Sequence, residues 1–589
     1  MSDSIFDRLR RGASPVELEL TEAFAKGQIS RRAFVQRGSV IGLSVAFMGT
    51  VIAACGSSSK TSPTTAAGST TTAGGTATTA GGTPTTAGGA TTTAGAGTAT
   101  TAAGGAIKPG GTLRIAAQSP SGPLDPVAMA DLGTYTPVTT CFEYLVDALG
   151  GDLKPMLAES WKPNADGSVW TFSLRKGVKW HDGSAFTAAD VVATMDRLAG
   201  SNLKASIAAG STKAVDDFTV QITLLSPDGQ FPQQVGAYNP QSVITPKDYV
   251  LGTTLDKRMT GTGAFKMTRY DPATGASFVA NLDYWGGKPF LDKLEYTFSE
   301  DLGTLVSGLQ GGAADAITQF SVVGGDALFN DSNITVNSIR GAAHREIWMN
   351  TREGDFTDVR VRQAVALGID RQALIDTILK GKADIANDHP IAPIYPFFDA
   401  TQPQRTRDVA KAKQLLTDAG KAGLAATLYF PNLQEIPQLA QIVQSQLKEI
   451  GMNVSLSQEK KVDDEDWCKV YDSKVEPAGC DGGKDFGIVD YGLRGVPDVY
   501  LVKAYATGEW NSAHYISAPF RAAVKAYQSS LDLSGQKAAI KTIQQIANAD
   551  VPYAIPYFYN VLFATTTKVT GIVATGLGHF YCNKAGFVA

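Results

Sequence analysis

The chain is poor in the residues that usually announce chemistry. It has five cysteines in 589 residues (Cys55, Cys141, Cys468, Cys480 and Cys582), and no two of them stand at C-x-x-C spacing. That excludes a zinc ribbon or a thioredoxin-type redox site. The five histidines are scattered, so no H-E-x-x-H helix exists. A G-x-S-x-G elbow and a G-x-x-x-x-G-K-[ST] phosphate loop are also missing. Basic runs are absent, only 18% of residues are charged and the net charge is -4, so no nucleic-acid face is signalled. The longest apolar stretch, Val40 to Ala54, falls short of the roughly 20 residues a membrane-spanning helix requires.

What is present falls into zones. Ser30-Arg31-Arg32-Ala33-Phe34 precedes the apolar stretch, which ends Val51-Ile52-Ala53-Ala54-Cys55-Gly56. Twin arginines, an apolar run and small residues before a cysteine, in that order, read as an export signal over 1–54, with Cys55 as the lipidated first residue of the mature chain. The alternative is a short signal anchor that is never cleaved. Residues 55–106 are Thr, Ala, Gly and Ser with almost no large apolar side chain. Such a segment cannot offset its chain entropy by burial and is expected to be a disordered tether, spanning roughly 40 Å on average. The remaining length is too great for one core and predicts two or three lobes.

The most informative stretch of the folded part runs from Leu153 to Leu198. Pro163-Asn164-Ala165-Asp166-Gly167 supplies turn chemistry between two strand-like runs. Trp170, Phe172 and Leu174 alternate with Val169, Thr171 and Ser173, as a half-buried strand does. Thr187-Ala-Ala-Asp190 then reads as a capping box in which Asp replaces the usual Glu. It opens a helix whose apolar face is Val191, Val192, Met195 and Leu198. Further along, Ala426 to Phe430, Ala440 to Gly451 and Asn453 to Leu456 read as strand, helix and strand, which implies a parallel pair with a right-handed crossover.

The run LAESWKPNADGSVWTFSLRKGVKWHDGSAFTAADV resembles the diagnostic segment of the peptide/nickel (family 5) substrate-binding proteins of ABC importers. Similar matches are Leu124-Asp125-Pro126, Gly261-Thr262-Gly263, Asn281-Leu282-Asp283-Tyr284-Trp285-Gly286-Gly287-Lys288-Pro289 and Trp348-Met349-Asn350-Thr351, and the likeness covers roughly 109–589. It implies an α/β fold of the periplasmic-binding-protein-like class II. Two main lobes and an extra subdomain are built from mixed sheets flanked by helices, with the ligand in the interlobe cleft. The expected division is 107–150, 246–345 and 551–589 for the first lobe, 151–245 for subdomain II and 346–550 for the third lobe. The implied function is capture of an oligopeptide-like solute by hinge closure, outside the cytoplasm, by a monomer that docks to an ABC permease and uses no cofactor. A nickel chelate, haem, an oligosaccharide or an opine are the other ligands open on this scaffold. An extracytoplasmic enzyme, or a sensor that serves no permease, is the reading from another class.

The resemblance also implies a cleft lined by Tyr135, Asp490, Tyr491, Arg494 and Trp510. Many receptors of the family carry Trp-Gly-x-Asp before a Pro-Asp-x-aromatic-Leu segment, and the acid pairs with the peptide's amino group. Here Pro497-Asp498-Val499-Tyr500-Leu501 fits the second part, but Tyr491-Gly492-Leu493-Arg494 puts a cation where the acid is expected. An ammonium would be repelled there and a carboxylate gripped. The other reading of Arg494 is a brace paired with Asp490 or Asp498. His181-Asp182 reads as part of a turn, and Asp463 to Asp466 lacks the spacing of a calcium loop, so no metal site is expected. Cys468 and Cys480 are the disulfide candidates, since the Asp-, Lys- and Gly-rich loop between them has little core of its own. Cys141 with Cys582 is a further possible pair.

Overall fold

A computed structural model describes residues 98–100, 106–126, 129, 131–147, 153–250, 260–459, 484–506 and 510–588. The export signal, Cys55 and the Cys468–Cys480 loop lie outside the described residues.

The first lobe is built on a mixed seven-stranded sheet, in the order Phe265–Asp271, Gly275–Ala280, Lys293–Ser299, Thr112–Gln118, Ala316–Phe320, Val561–Thr566, Ile334–Ile339. Thr112–Gln118 runs parallel to both of its neighbours, and the other pairs are antiparallel. Its alternate residues Leu113 and Ile115 are buried with Phe278, Leu294 and Tyr296, so the period-2 pattern feeds one core.

Subdomain II is the expected hairpin extended to four antiparallel strands, in the order Ala158–Pro163, Val169–Leu174, Thr219–Leu224, Ile207–Asp216. Trp170, Phe172 and Leu174 face the core, and the helix Ala188–Ala199 lays Val191, Met195 and Leu198 against them. The turn forms as the residue types dictate: the Asp166 carboxylate accepts the Ser168 N–H at 3.0 Å and the Asn164 side chain accepts the Val169 N–H at 3.0 Å. At the helix start Asp190 accepts the Thr187 N–H at 2.8 Å, the reciprocal half of the capping box.

The third lobe carries a second mixed sheet, in the order Ala383–Ile385, Tyr557–Tyr559, His344–Met349, Phe486–Tyr491, Ala425–Pro431, Asn453–Glu459. Ala425–Pro431 and Asn453–Glu459 are parallel and joined through the helix Ile436–Glu449, as their pattern predicts.

Three boundaries differ from the sequence reading. The strands Tyr553–Ala554 and Tyr557–Tyr559 still pair within the third-lobe sheet, so the chain returns to the first lobe at Val561 rather than at 551. The third-lobe sheet begins at His344, two residues before the expected 346. Within the expected tether, Thr98–Thr100 pairs as a strand with Val573–Thr575. Backbone pairing needs no apolar side chain, so composition could not reveal it. Cys141 and Cys582 are both buried free thiols, which removes them as a disulfide pair.

Candidate functional site

The chain crosses between the lobes twice among the described residues, at 340–343 and at Asn560. The crossings lie side by side, with the Tyr559 N–H donating to the Ala343 carbonyl at 2.9 Å. Two adjacent strands of this kind form a hinge about which rigid lobes can close.

Around the hinge, His344–Met349 is buried along its whole length although it opens His344-Arg345-Glu346. Its imidazole, its guanidinium and one Glu346 oxygen find partners, the usual condition for burial, while Glu346 Oε2 and Trp348 Nε1 find none among the described residues. His344 Nε2 lies 3.1 Å from Glu346 and its Nδ1 lies 2.8 Å from the Ala342 carbonyl. Arg345 is fully buried and its guanidinium donates to both oxygens of Glu435, at 2.8 and 3.0 Å, to Gln434 at 2.7 Å and to Asp490. Tyr559 stacks its ring under the same guanidinium at 4.3 Å and donates to Asp490 at 3.0 Å.

Asp490 is therefore held by the hinge, through Arg345 and Tyr559. Tyr491 is also drawn inward: it is 6% exposed, stacks on His344 at 5.6 Å and donates to the Trp510 carbonyl at 2.8 Å. Tyr491 thus packs as core, with the Trp510 ring at 6.1 Å on its other flank.

Arg494 projects from the loop that follows. Tyr500 donates to the Gly492 carbonyl at 2.7 Å and Tyr395 donates to the Arg494 carbonyl at 2.7 Å, so the loop backbone is pinned on both sides. The guanidinium donates to the Leu493 carbonyl at 3.0 Å and sits over the Trp510 ring at 5.9 Å. Among the described residues it forms no carboxylate pair, and Asp498 accepts instead from Gln528 at 2.9 Å. Neither Asp490 nor Asp498 is thus its ion-pair partner, and its contacts within the loop are to backbone carbonyls. A second cation, Lys503, lies over the same indole at 4.7 Å. Tyr135, half-buried on the helix Leu132–Cys141 of the first lobe, lies within the field of Arg494. Burial pushes its phenol up to about 12, with the positive charge of Arg494 pulling the other way.

The structure thus sets Arg494 over Trp510 with Tyr135 within its field, while Asp490 is held by Arg345 and Tyr559 and Tyr491 packs on His344. Sequence reasoning missed Lys503, Tyr395 and Tyr500 at this site. It also missed Tyr238, whose ring packs so tightly on Gly495 that a Cβ there would stand 1.4 Å from it. Only the glycine hinted at that close approach. Asp182 is committed to the turn, accepting the Ser184 N–H at 2.9 Å, whereas His181 ties the turn to the 261–263 segment, its imidazole accepting the Gly261 N–H at 3.2 Å.

Two α/β lobes joined by a double crossing, with aromatic and basic side chains meeting between them, define a two-lobed binding protein of the class II type. Residues 152–490, more than half the chain, match the family described as bacterial extracellular solute-binding proteins, family 5. Haem-binding protein A of Haemophilus influenzae is 27% identical over 470 residues, covering 73% of this chain and 83% of that one. The glutathione-binding protein GsiB of Pectobacterium atrosepticum is 27% identical over 485 residues, covering 78% and 90%. Among solved structures, the ABC transporter substrate-binding protein CtaP of Listeria monocytogenes superposes with a TM-score of 0.72 at 21% identity, covering 82% of this chain and all of that one. The oligopeptide-binding protein AppA of Bacillus subtilis, in complex with a nonapeptide, gives 0.64 at 21% identity, with the same coverage. The chain belongs to the bacterial extracellular solute-binding proteins, family 5, and its function is the capture of a solute outside the cytoplasm.

Proposed function

We propose that this receptor captures an oligopeptide-like solute bearing an anionic group, and that Arg494 grips that group between Tyr135 and Trp510. The supporting observation is the pair of cations, Arg494 and Lys503, sharing the Trp510 indole, with no carboxylate of the described residues paired to Arg494. A guanidinium so placed offers parallel N–H donors to a carboxylate and repels an ammonium. Peptide, glutathione and haem relatives all act on solutes that carry carboxylates. Binding and lobe closure are the whole of the work, with no chemical step and no cofactor. The mature chain is held at the outer face of the membrane by lipid on Cys55 and reaches its permease through the segment that follows. Two acyl chains, at about 0.8 kcal/mol per buried CH₂, suffice for stable anchoring.

Native mass spectrometry of the protein purified from its own host tests the reading. The expected result is a co-purified acidic solute on the wild type and its absence from Arg494→Ala. The same solute retained at the same occupancy by Arg494→Ala overturns the assignment.

A further inference from the structure

The lobes meet again just beyond Arg494, where subdomain II touches the helix Ala518–Ser529 of the third lobe. The Gly229 N–H donates to the Gln528 carbonyl at 3.1 Å, joining subdomain II to the third lobe. The fit is close: a Cβ on Gly229 would stand 2.1 Å from the Ser530 carbonyl oxygen. This contact places two carboxylates beside one residue, one from each side. Asp228 precedes Gly229 on subdomain II and accepts the Gln230 N–H at 2.7 Å and the Gln234 amide at 2.6 Å. Asp498 on the third lobe accepts the Gln528 amide at 2.9 Å.

Every donor to this pair is neutral, and no Lys or Arg of the described residues bridges it. The groups facing it complete the picture. Tyr527, next to Gln528 on the same helix, is fully buried in the field of both carboxylates, with Tyr238 of subdomain II nearby, and its hydroxyl has no hydrogen-bond partner among the described residues. Neither charge is therefore offset when the lobes are shut. Asp228 has two donors to hold its negative charge and Asp498 has one, so Asp498 is the carboxyl on which a proton relieves the repulsion.

We propose that closing the lobes takes up a proton at Asp498, so that the receptor shuts more readily in an acidic medium than in a neutral one. Opening separates the two carboxylates and returns them to water, where Asp498 recovers an ordinary acidity. In the closed state burial pushes it up to about 6, with the charge of Asp228 adding to the effect, and burial raises Asp228 as well. Taking 3.8 for the open state and about 6 for the closed one, the closing equilibrium constant rises about tenfold from pH 8 to pH 5. The consequence is a receptor whose capture is linked to protons whatever solute it carries.

The test needs no solute. Lys162 on subdomain II and Lys537 on the third lobe, both exposed, are each replaced by a clickable azido amino acid, and single-molecule energy transfer reads open and closed populations of the full mature chain. The expected result is a closed-to-open ratio about tenfold higher at pH 5 than at pH 8, reduced to less than twofold by Asp498→Asn. Asp228→Asn, which removes only the opposing charge, should raise the closed fraction at pH 8 and weaken the response. It serves as the second variant should Asp498→Asn fold poorly. A wild-type ratio that does not change with pH overturns the proposal, as does a tenfold response surviving both substitutions. A distance that is fixed under every condition overturns it together with lobe closure itself, whereas a distance that changes without responding to pH leaves lobe closure standing.

Discussion

Replacing Arg345 by Met should be the most damaging single change near the hinge. Arg345 is 0% exposed, and its guanidinium is the shared cation for Glu435 and Asp490, with Gln434 and the Tyr559 ring completing its shell. Met has nearly the same length, so the packing cost is small and the electrostatic cost dominates. Removal leaves Glu435, 4% exposed and otherwise held by the Tyr557 hydroxyl at 3.1 Å, as an uncompensated buried carboxylate. Breaking a buried pair in this way costs about 3–5 kcal/mol. A body of this size unfolds with an entropy of about 1 kcal/mol/K, at roughly 2 cal/mol/K per residue, so the loss appears as a fall in Tm of about 3–5 °C. Differential scanning calorimetry reads it. The charge-free triple variant Arg345→Met, Glu435→Gln, Asp490→Asn should recover at least half of the loss, because a buried ion network is costly to break and cheap to replace. A Tm for Arg345→Met within 1 °C of wild type would refute the reasoning, and so would a triple variant less stable than the single one.

Three further outcomes are expected. Cys55→Ser should move the protein from the membrane fraction to the soluble one, and Arg31→Lys with Arg32→Lys should block export; a Cys55→Ser protein that stays membrane-bound would make the apolar run a true anchor. Non-reducing peptide mapping should find Cys468 joined to Cys480, a bridge closing about 12 residues and contributing roughly 3 kcal/mol; free thiols at both positions would remove it. Acid should destabilise the protein through its buried histidines: burial pushes His389 down to about 4 and His579 down to about 3, so each is neutral in the fold and protonates more readily when unfolded. The stability each contributes is complete above pH 6.5 and is lost as pH falls through about 4 for His389 and about 3 for His579, at most about 3 kcal/mol for His389. Urea titrations at pH 7 and pH 4.5 should show that loss, smaller in His389→Gln; an unchanged slope in the variant would exclude His389 as its source.

Much of the fold was legible because local rules agreed with the final structure. The alternation in 169–174, the turn at 163–167 and the box at Thr187 and Asp190 each have a short-range cause and a short-range consequence. The parallel pair on either side of Ile436–Glu449 was legible for the same reason. The site was legible only in part, because its partners are brought together from far apart in sequence. Nothing near Asp490 announces that Arg345, 145 positions earlier, will take its carboxylate. His344-Arg345-Glu346 reads as an exposed polar run, and only the partners supplied by Glu435, Tyr559 and Ala342 allow its burial. Arg494 was legible as a charge reversal within a motif. Its company of Trp510, Lys503 and Tyr135 follows from three separate elements meeting at the crossing.

The central claim is that a cation at position 494 selects the solute by its negative charge. Calorimetry with matched tripeptides, one ending in a free carboxylate and one in a carboxamide, both acetylated at the amino end, measures that selection directly. The wild type should bind the acid more tightly by about 2 kcal/mol or more, some thirtyfold, and Arg494→Gln should bring the two within threefold. Acid and amide bound equally by the wild type, or a preference for the acid that survives in Arg494→Gln, would contradict the account.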